Sequence, residues 1–84
     1  MMRSVSYTKS ALKVLRKMPR PDALRIMAKV DQFAIAPESL ANNVKRLQGS
    51  SFIRLRVGDW RVIMDDQGVV LAVIKIGPRG SVYE

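Results

Sequence analysis

Residues 52–63 read FIRLRVGDWRVI, and this alternation of apolar and charged side chains is typical of β-strands. The pattern predicts a strand, a two-residue turn and a second strand, over residues 52–57, 58–59 and 60–65. Successive side chains of a strand point to opposite faces, so Arg54 and Arg56 share one face and the apolar residues between and beside them share the other. We therefore expect a sheet that is basic on one face and packed on a core through the other.

The chain continues with a second hairpin and an apolar strand. Gln67-Gly68 is a turn sequence, and residues 69–76, VVLAVIKI, are apolar on both faces, as in an interior strand. Short connections predict antiparallel neighbours. Ser81 to Tyr83 is expected to add a short last strand.

The N-terminal third of the chain predicts a strand followed by a helix. Arg3 to Tyr7 alternates as a strand, and the hydroxyl of Thr8 is suited to cap the helix that follows. The apolar residues of this helix recur at helical spacing, at Ala11, Leu12, Leu15 and Met18. One stripe of the helix is therefore expected to be buried.

A second helix is predicted from Asp22 to about Ile35. Pro19 and Pro21 separate it from the first helix, and Pro37 ends it. Its expected apolar stripe consists of Ala23, Ile26, Met27, Val30, Phe33 and Ala34. The fold class is therefore predicted as α+β, with an N-terminal strand and a two-helix hairpin packed on a twisted, mainly antiparallel sheet.

Composition limits the chemistry that this chain can perform. Its 84 residues suit one domain over residues 1–84, and they include no His and no Cys. Imidazole or thiol catalysis and most transition-metal sites are thus excluded. No segment has the length and apolarity of a membrane span, and the N-terminus, interrupted by Ser and Lys, is interpreted as part of the fold and not as a signal peptide.

The chain is strongly basic. Fifteen Lys and Arg against seven Asp and Glu give a formal charge of +8, and the first 21 residues hold six basic residues and no acid. Such a field attracts phosphate polymers or an acidic protein. Charge alone leaves a second interpretation open, because a basic surface is often only a solvated face.

Individual residues allow two interpretations each. Arg54 and Arg56 offer planar forks of donors to phosphate oxygens, or they form a solvated strand face. Trp60 is favoured as a core anchor over a platform for base stacking. Asp65 and Asp66 fall short of a calcium loop and are interpreted as turn residues, so no metal or other cofactor is expected.

The whole arrangement resembles the RelE/ParE superfamily of small bacterial toxins. The resemblance rests on NVKRLQG, FIRLRVGDWRVIM and VIKIGPRGSVY, and it covers nearly the whole chain. It implies a RelE-like toxin domain of a type II toxin–antitoxin system. RelE-type members are ribosome-dependent endoribonucleases, or mRNA interferases, that cut mRNA in the decoding site and thereby inhibit translation in the bacterial cytoplasm.

The resemblance also implies roles for particular residues. Arg54 and Arg56 match the basic strand positions, Arg61 matches the arginine after the turn, and Arg79 and Tyr83 match the closing pair. Lys45 and Arg46 extend the RNA-binding track without a catalytic role. The catalytic set is thus expected to be Arg61, Arg79 and Tyr83.

These residues suit cleavage of RNA by its own 2′-hydroxyl group. Orientation of that hydroxyl supplies much of the rate, and Arg61 and Arg79 stabilise the negative charge that develops on phosphorus. Tyr83 is the one plausible base of the set: a free phenol has a pKa of about 10, and neighbouring guanidinium groups lower the pKa of such a group. We expect Tyr83 to orient or deprotonate the 2′-hydroxyl, the alternative being a packed C-terminal aromatic.

One departure from the family pattern bears on mechanism. Many relatives carry His or Lys just before the closing arginine, where this chain has Pro78, which neither transfers a proton nor donates a hydrogen bond. Two alternatives therefore stay open: a ParE-like toxin that inhibits DNA gyrase by binding, and an RNA-binding module without catalysis.

The resemblance implies partners as well. A basic toxin predicts a cognate antitoxin with an acidic, partly disordered segment that folds on the basic helices and the sheet edge and masks the arginines, forming a toxin–antitoxin hetero-oligomer. The nuclease interpretation adds the ribosome and mRNA, and no membrane.

Overall fold

A computed structural model describes residues 3–78 of the chain. Its regular elements, in chain order, are β1 (Ser4–Tyr7), α1 (Lys9–Lys17), α2 (Arg20–Ile35), a kinked 3₁₀ segment (Pro37–Asn43), β2 (Val44–Arg46), β3 (Phe52–Val57), β4 (Trp60–Asp66) and β5 (Val70–Pro78). The helices and strands form an α+β fold, which confirms the predicted fold class.

Five strands form one mixed sheet in the order β1-β5-β4-β3-β2. The pairs within β2 to β5 are antiparallel, and β1 runs parallel to β5, with Tyr7 opposite Val73. β1 is thus an edge strand beside β5, at the opposite edge of the sheet from β2. In the chain, α1 and α2 connect β1 to the antiparallel strands. The 3₁₀ segment and β2 are elements that the sequence pattern did not predict.

Helix α1 begins and ends where local chemistry dictates. The Thr8 hydroxyl accepts a hydrogen bond from the Ala11 N–H at 3.1 Å, which caps the helix. The same hydroxyl donates to the Ile74 carbonyl on β5 at 2.7 Å, so the cap also ties α1 to the sheet. At the other end Met18 adopts extended backbone dihedrals and Pro19 follows.

Helix α2 begins at Arg20, two residues before the predicted start at Asp22. The prediction treated Pro21 as a break, but proline fits the first turn of a helix, where its missing N–H would have no intrahelical acceptor. The carboxylate of Asp22 accepts a hydrogen bond from the Trp60 indole N–H at 3.2 Å. This contact joins the start of α2 to the start of β4, and Trp60 packs against the core, as predicted.

The core lies between the helices and one face of the sheet, here called the inner face. Its largest fully buried side chains come from both layers: Ile26, Val30, Ile53, Leu55, Val62, Met64, Leu71 and Val73. The predicted stripes of both helices point to this core with one exception. The buried stripe of α2 does not include Met27, whose side chain is 40% exposed.

No helix of residues 3–78 covers the opposite, outer face of the sheet. Arg54 and Arg56 lie on this face between the buried Ile53, Leu55 and Val57, which confirms the predicted alternation. The turn before β4 has Gly58 at a φ of +59°, as two-residue hairpins with glycine at the first central position require. No helix among residues 3–78 is long and apolar enough to span a bilayer.

Candidate functional site

The register of the sheet brings four predicted basic residues together on the outer face. Lys45 on β2 lies opposite Arg54 on β3, and Arg56 on β3 lies opposite Arg61 on β4. Side chains of directly opposed residues lie on the same face. Three strands therefore contribute to one cationic surface.

These four side chains line a pocket of about 140 Å³ at the β2 edge of the sheet. The complete lining consists of Asn42, Asn43, Val44, Lys45, Arg54, Arg56 and Arg61. The two asparagines were missed by the sequence analysis. A possible signal was their position directly before the predicted VKR track, where amide groups add neutral donors and acceptors beside the charges.

The pocket has the electrostatics of an anion site. Its lining, within the part of the chain that the structure describes, includes four cations and no carboxylate. The guanidinium of Arg61 donates a hydrogen bond to the Trp60 carbonyl at 3.2 Å. This bond restrains the Arg61 side chain at the start of β4. An arginine restrained by one hydrogen bond keeps its other N–H groups available as donors to a polyanion.

An apolar side chain supports the middle of this face. Ile63 is 6% exposed although it lies on the outer face, away from the core cluster. Its cross-strand partners are Arg54 and Lys75, whose aliphatic stems are long enough to cover it. The basic residues of the outer face therefore have a packing partner that limits their conformations.

Arg46 does not line the pocket. It lies opposite Ile53, an inner-face residue, and its guanidinium is 4.0 Å from the Asp66 carboxylate. Adjacent residues of a strand point to opposite faces, so Lys45 and Arg46 do not continue one track. The structure brings Lys45 to the site and directs Arg46 elsewhere.

The predicted turn residues Asp65 and Asp66 form hydrogen bonds within the chain. Asp65 accepts from the Ser51 hydroxyl and from the Gln67 amide, and these bonds lower the pKa of its carboxyl. Burial tends to raise the pKa of Asp66, but the hydrogen bond and charge of Arg3 and the Gly68 N–H outweigh it, so the net shift is downward. Residues 3–78 contain no cluster of potential metal ligands.

The closing pair Arg79 and Tyr83 lies outside the described residues. Strand β5 ends at Pro78, and Gly77 is the cross-strand partner of Arg61. Gly77 precedes Arg79 by two residues in the sequence. The predicted strand over 81–83 also lies outside the described residues.

The geometry supports anion binding more directly than proton transfer. Four lysine and arginine side chains in one pocket have the charge and the donors that phosphate oxygens require, and arginine stays protonated at neutral pH. Among residues 3–78, the lining carries neither a carboxylate nor an imidazole that would act as a general base. A reaction at this site therefore depends on orientation, on charge stabilisation and on groups supplied from beyond the lining.

Comparison with solved structures finds the same fold in RelE toxins. RelE in the archaeal RelE–RelB complex from Pyrococcus horikoshii OT3 has a TM-score of 0.79 and 28% identity, over 96% of this chain and 99% of that chain. A mutant of E. coli toxin RelE in the free state has a TM-score of 0.74 and 25% identity, over 98% and 88% of the two chains. The RelB–RelE complex from Methanococcus jannaschii, at 20% identity, TM-score 0.74 and coverages of 94% and 95%, shares the fold.

A family model extends the comparison to sequence. The model of the ParE toxin of the type II toxin–antitoxin system, parDE, matches residues 5–83. No curated protein matches the chain. The match covers the pocket, both helices and, except for Ser4, the strands of residues 3–78, and it agrees with the RelE-like structure. The chain therefore belongs to the ParE toxin family of type II toxin–antitoxin systems, within the RelE/ParE superfamily.

Proposed function

We propose that this toxin is a ribosome-dependent endoribonuclease that cleaves mRNA by attack of the RNA 2′-hydroxyl on the adjacent phosphate. The observation that carries the proposal is the pocket in which Lys45, Arg54, Arg56 and Arg61 converge on one face of the sheet. Such a pocket fits a phosphodiester backbone, because arginine and lysine are the residues that contact phosphate in nucleic-acid complexes.

The first role of the pocket is to position the RNA. Lys45 and Arg54 bind one phosphate and Arg56 binds its neighbour, so the strand lies across β2, β3 and β4. Bases then face away from the sheet. The described pocket lining contains no aromatic side chain, and the exposed aromatic on this face is Phe52, two residues before Arg54. Binding through the backbone leaves codon preference to the environment of the mRNA and not to base contacts.

The second role is stabilisation of charge during the reaction. The 2′-oxygen forms a bond to phosphorus as the bond to the 5′-oxygen breaks, which leaves a 2′,3′-cyclic phosphate and a 5′-hydroxyl end. Negative charge accumulates on the phosphoryl oxygens between these events. A fixed cation at Arg61, restrained by its bond to the Trp60 carbonyl, stabilises that charge with little reorganisation.

The closing pair completes the proposed mechanism. Arg79 adds a second cation at the phosphorus, and Tyr83 orients or deprotonates the attacking hydroxyl. This assignment rests on the match of Arg79 and Tyr83 to the closing pair of the family pattern. Pro78 supplies no proton donor, so charge and orientation carry more of the reaction than acid–base transfer.

Dependence on the ribosome follows from this distribution of roles. The pocket holds the backbone but lacks a strong base, so free RNA is a poor substrate. A ribosome fixes the mRNA in one conformation, and an in-line arrangement of the reacting atoms then contributes much of the rate. We place the activity in the cytoplasm, where ribosomes translate mRNA.

We also propose a cognate antitoxin as the regulating partner. Solved relatives are complexes of RelE with the antitoxin RelB, which supports a hetero-oligomer for this chain. The net charge of +8 favours an antitoxin segment rich in acidic residues. Such a segment inhibits by covering the cations of the pocket.

A second candidate function is inhibition of DNA gyrase by binding. The observation that favours it is the family model, which is that of ParE toxins. This function needs no nucleolytic residue, so substitution of Arg61 or Tyr83 would leave it intact. The basic pocket favours the nuclease.

The decisive experiment is controlled expression of the toxin followed by mapping of mRNA 5′ ends on ribosomes. The nuclease predicts new ends in phase with codons and none in ribosome-free RNA. DNA damage with intact mRNA would instead support gyrase inhibition, and neither effect would leave a binding module.

The Tyr83→Phe variant tests the role of the phenol. We expect slower cleavage of ribosome-bound mRNA with unchanged ribosome binding, because the ring is kept and only the hydroxyl is removed. Tyr7→Phe is the matched control. Cleavage by Tyr83→Phe at the wild-type rate would remove Tyr83 from the mechanism.

A further inference from the structure

Phe52 is an aromatic side chain that the packing of the core does not explain. It begins β3, and it is 37% exposed. It belongs neither to the buried core nor to the partly buried side chains that pack against the core. The other aromatic residues within 3–78 all take part in the core, since Phe33 is buried and Tyr7 and Trp60 pack against it. Phe52 is thus the described aromatic residue that is available to a ligand.

Phe52 lies on the same face of the sheet as the pocket. Side chains two residues apart on a strand share a face, so Phe52 continues the line of Arg54 and Arg56. At the usual rise of a strand, the Cα atoms of Phe52 and Arg54 are about 7 Å apart. Neighbouring phosphates of an extended RNA strand are separated by a similar distance. An RNA strand held at Arg54 therefore brings its next nucleotide to Phe52.

The charge of the outer face changes along β3. Arg56 lies opposite the cation of Arg61, whereas Phe52 lies opposite the carboxylate of Asp65. Asp65 accepts two side-chain hydrogen bonds, which lower the pKa of its carboxyl and keep it ionised at neutral pH. A phosphate is repelled beside this carboxylate, whereas a neutral base is not. The local charges therefore favour a base, and not a phosphate, at the Phe52 ring.

Hydrogen bonds fix the backbone that carries the ring. The Phe52 carbonyl accepts from the Leu47 N–H at 2.9 Å, and the Phe52 N–H donates to the Ser50 hydroxyl at 3.2 Å. The ring therefore projects from the sheet itself and not from the loop that precedes it. A platform that is already ordered binds a ligand with a smaller loss of conformational entropy.

We propose that Phe52 stacks on one base of the mRNA, that of the nucleotide that leaves the pocket past Arg54. This inference rests on the proposed function and deepens it, since it adds one contact to a base to the phosphate contacts of the pocket. The bases of the nucleotides inside the pocket still face away from the sheet. Every base has a π-face, so stacking on Phe52 positions the strand without selecting a codon.

The surroundings of Phe52 favour RNA over a protein as the occupant. Aromatic side chains beside a cationic groove are the usual combination at sites that bind single-stranded nucleic acid. Centres of protein interfaces are instead apolar and poor in charge. The neighbours of Phe52 on this face, two residues along β3 and directly opposite on β4, are Arg54 and Asp65, and both are charged.

The test measures binding of a short single-stranded oligoribonucleotide to the purified toxin. Phe52→Leu keeps an apolar side chain and removes the π-face, whereas Phe52→Trp enlarges the π-face. We expect roughly tenfold weaker binding for Phe52→Leu, and binding at least as tight as that of the wild type for Phe52→Trp. The matched control is Ile35→Ala, which truncates an exposed apolar side chain at the end of α2 and should bind as the wild type does.

Salt dependence separates stacking from phosphate contact. Phe52→Leu should keep the wild-type slope of log K against log salt, because no phosphate contact is lost. Arg54→Gln should make that slope shallower by about 0.7, the value for one contact to a single strand.

A fluorescent base reports the stacking contact directly. The fluorescence of 2-aminopurine is quenched when this base stacks on an aromatic ring, and it is placed at successive positions of the oligoribonucleotide. We expect additional quenching at one position in the complexes of the wild type and Phe52→Trp, and no such quenching with Phe52→Leu. An abasic nucleotide at that position should weaken binding of the wild type roughly tenfold.

Stability of the variants is measured alongside binding. Phe52→Leu should keep the wild-type thermal unfolding midpoint, since the ring lies outside the core cluster. The abasic oligoribonucleotide tests the same contact with the unaltered protein, so a folding defect of Phe52→Leu does not decide the result.

Other outcomes distinguish this inference from the nuclease proposal. Wild-type affinity and quenching for Phe52→Leu would show that the ring contacts no base, while codon-phased mRNA ends on ribosomes would still establish the nuclease. Position-specific quenching without codon-phased ends would support the stacking contact and overturn the nuclease. Binding by the wild type without quenching at any position would keep the phosphate pocket and assign Phe52 to a protein interface instead.

Discussion

Arg61 is the described residue whose surroundings best suit the proposed catalytic role. It lies in the ladder between Arg56 on β3 and Gly77 on β5. Gly77 contributes no side chain to this face, so at this register Arg61 has a cationic neighbour on β3 and none on β5. Its hydrogen bond to the Trp60 carbonyl holds the guanidinium close to the backbone. A charge fixed in this way suits stabilisation of a transition state.

Substitution of Arg61 tests this role. We expect Arg61→Ala to lower the rate of mRNA cleavage on ribosomes by roughly 10²- to 10³-fold, as for the loss of one charge-stabilising donor elsewhere. Arg61→Lys should recover part of the rate, because it keeps the charge and loses the planar fork. Single-turnover cleavage of a defined mRNA measures this effect. Arg25→Ala removes a charge from α2 as a control, and a wild-type rate for Arg61→Ala would exclude the role.

Tyr7 provides a test of burial at a single residue. Burial, aided by the negative charge of Asp31, raises the pKa of the Tyr7 phenol to about 12. The folded-state pKa thus lies above the unfolded value of about 10, so this contribution to stability is complete below pH 10 and is lost as the pH rises towards 12. Tyrosinate absorbance of the Tyr83→Phe variant, in which Tyr7 is the remaining tyrosine, should titrate near 12. Tyr7→Phe in that background should abolish the transition, and a midpoint near 10 would contradict the burial.

At the scale of the element, sequence patterns predicted the strands that have a clear local alternation and missed those defined by pairing with distant residues. The period of two in residues 52–65 located β3 and β4 to within one residue, since one face is buried and the other is basic. Strand β2 has three residues, too few to show an alternation, and its pairing with β3 comes from tertiary structure. The pocket was therefore predicted as a set of basic residues that includes Lys45, without the asparagines that complete its lining.

The pairing of strands that are far apart in the chain could not be predicted from the sequence pattern either. Nothing in the composition of β1 specifies that it lies parallel to β5, since that register depends on how α1 and α2 cover the sheet. Arg46 shows the same limit at the site, because its face is decided by the pairing of β2 with β3. Arg79 and Tyr83 entered the candidate site through family resemblance, and their roles remain predictions.

Thr8 is the point where an element boundary and the tertiary structure meet. Its hydroxyl caps α1 at Ala11 and donates to the Ile74 carbonyl on β5. Thr8→Ala removes both bonds, and we expect it to lower the free energy of unfolding by about 2 kcal/mol. Thr8→Ser keeps the hydroxyl and should lose much less. Urea unfolding of both variants measures the difference, and equal losses would show that the methyl group, not the hydroxyl, is responsible.

At the scale of the whole molecule, the Asp66 carboxylate takes part in a network that connects the helix layer to the sheet. Arg3 lies 2.6 Å from Asp66 and stacks on the Phe33 ring of α2, 5.3 Å from its centre. Asp66 also accepts a hydrogen bond from the Gly68 N–H and lies 4.0 Å from Arg46. The N-terminal segment, α2, β2 and the turn between β4 and β5 therefore share one partly buried charge network, at the end of the sheet away from Gly58.

Removal of the Asp66 charge should destabilise the whole fold in a pH-dependent way. The folded-state pKa of Asp66 is lowered, so its contribution is complete above the unfolded value of about 4 and is lost as the pH falls through the lower folded value. We expect Asp66→Asn to lower the free energy of unfolding by about 2 kcal/mol at neutral pH, the range for hydrogen bonds to charged groups. The loss should shrink as the pH falls through the lowered folded-state pKa, where the wild-type carboxyl becomes protonated as well. Urea unfolding at several pH values measures both effects.

Asp59→Asn, in an exposed turn, is the matched control for Asp66→Asn. A loss of stability that stayed constant with pH would assign the effect of Asp66→Asn to packing and not to charge.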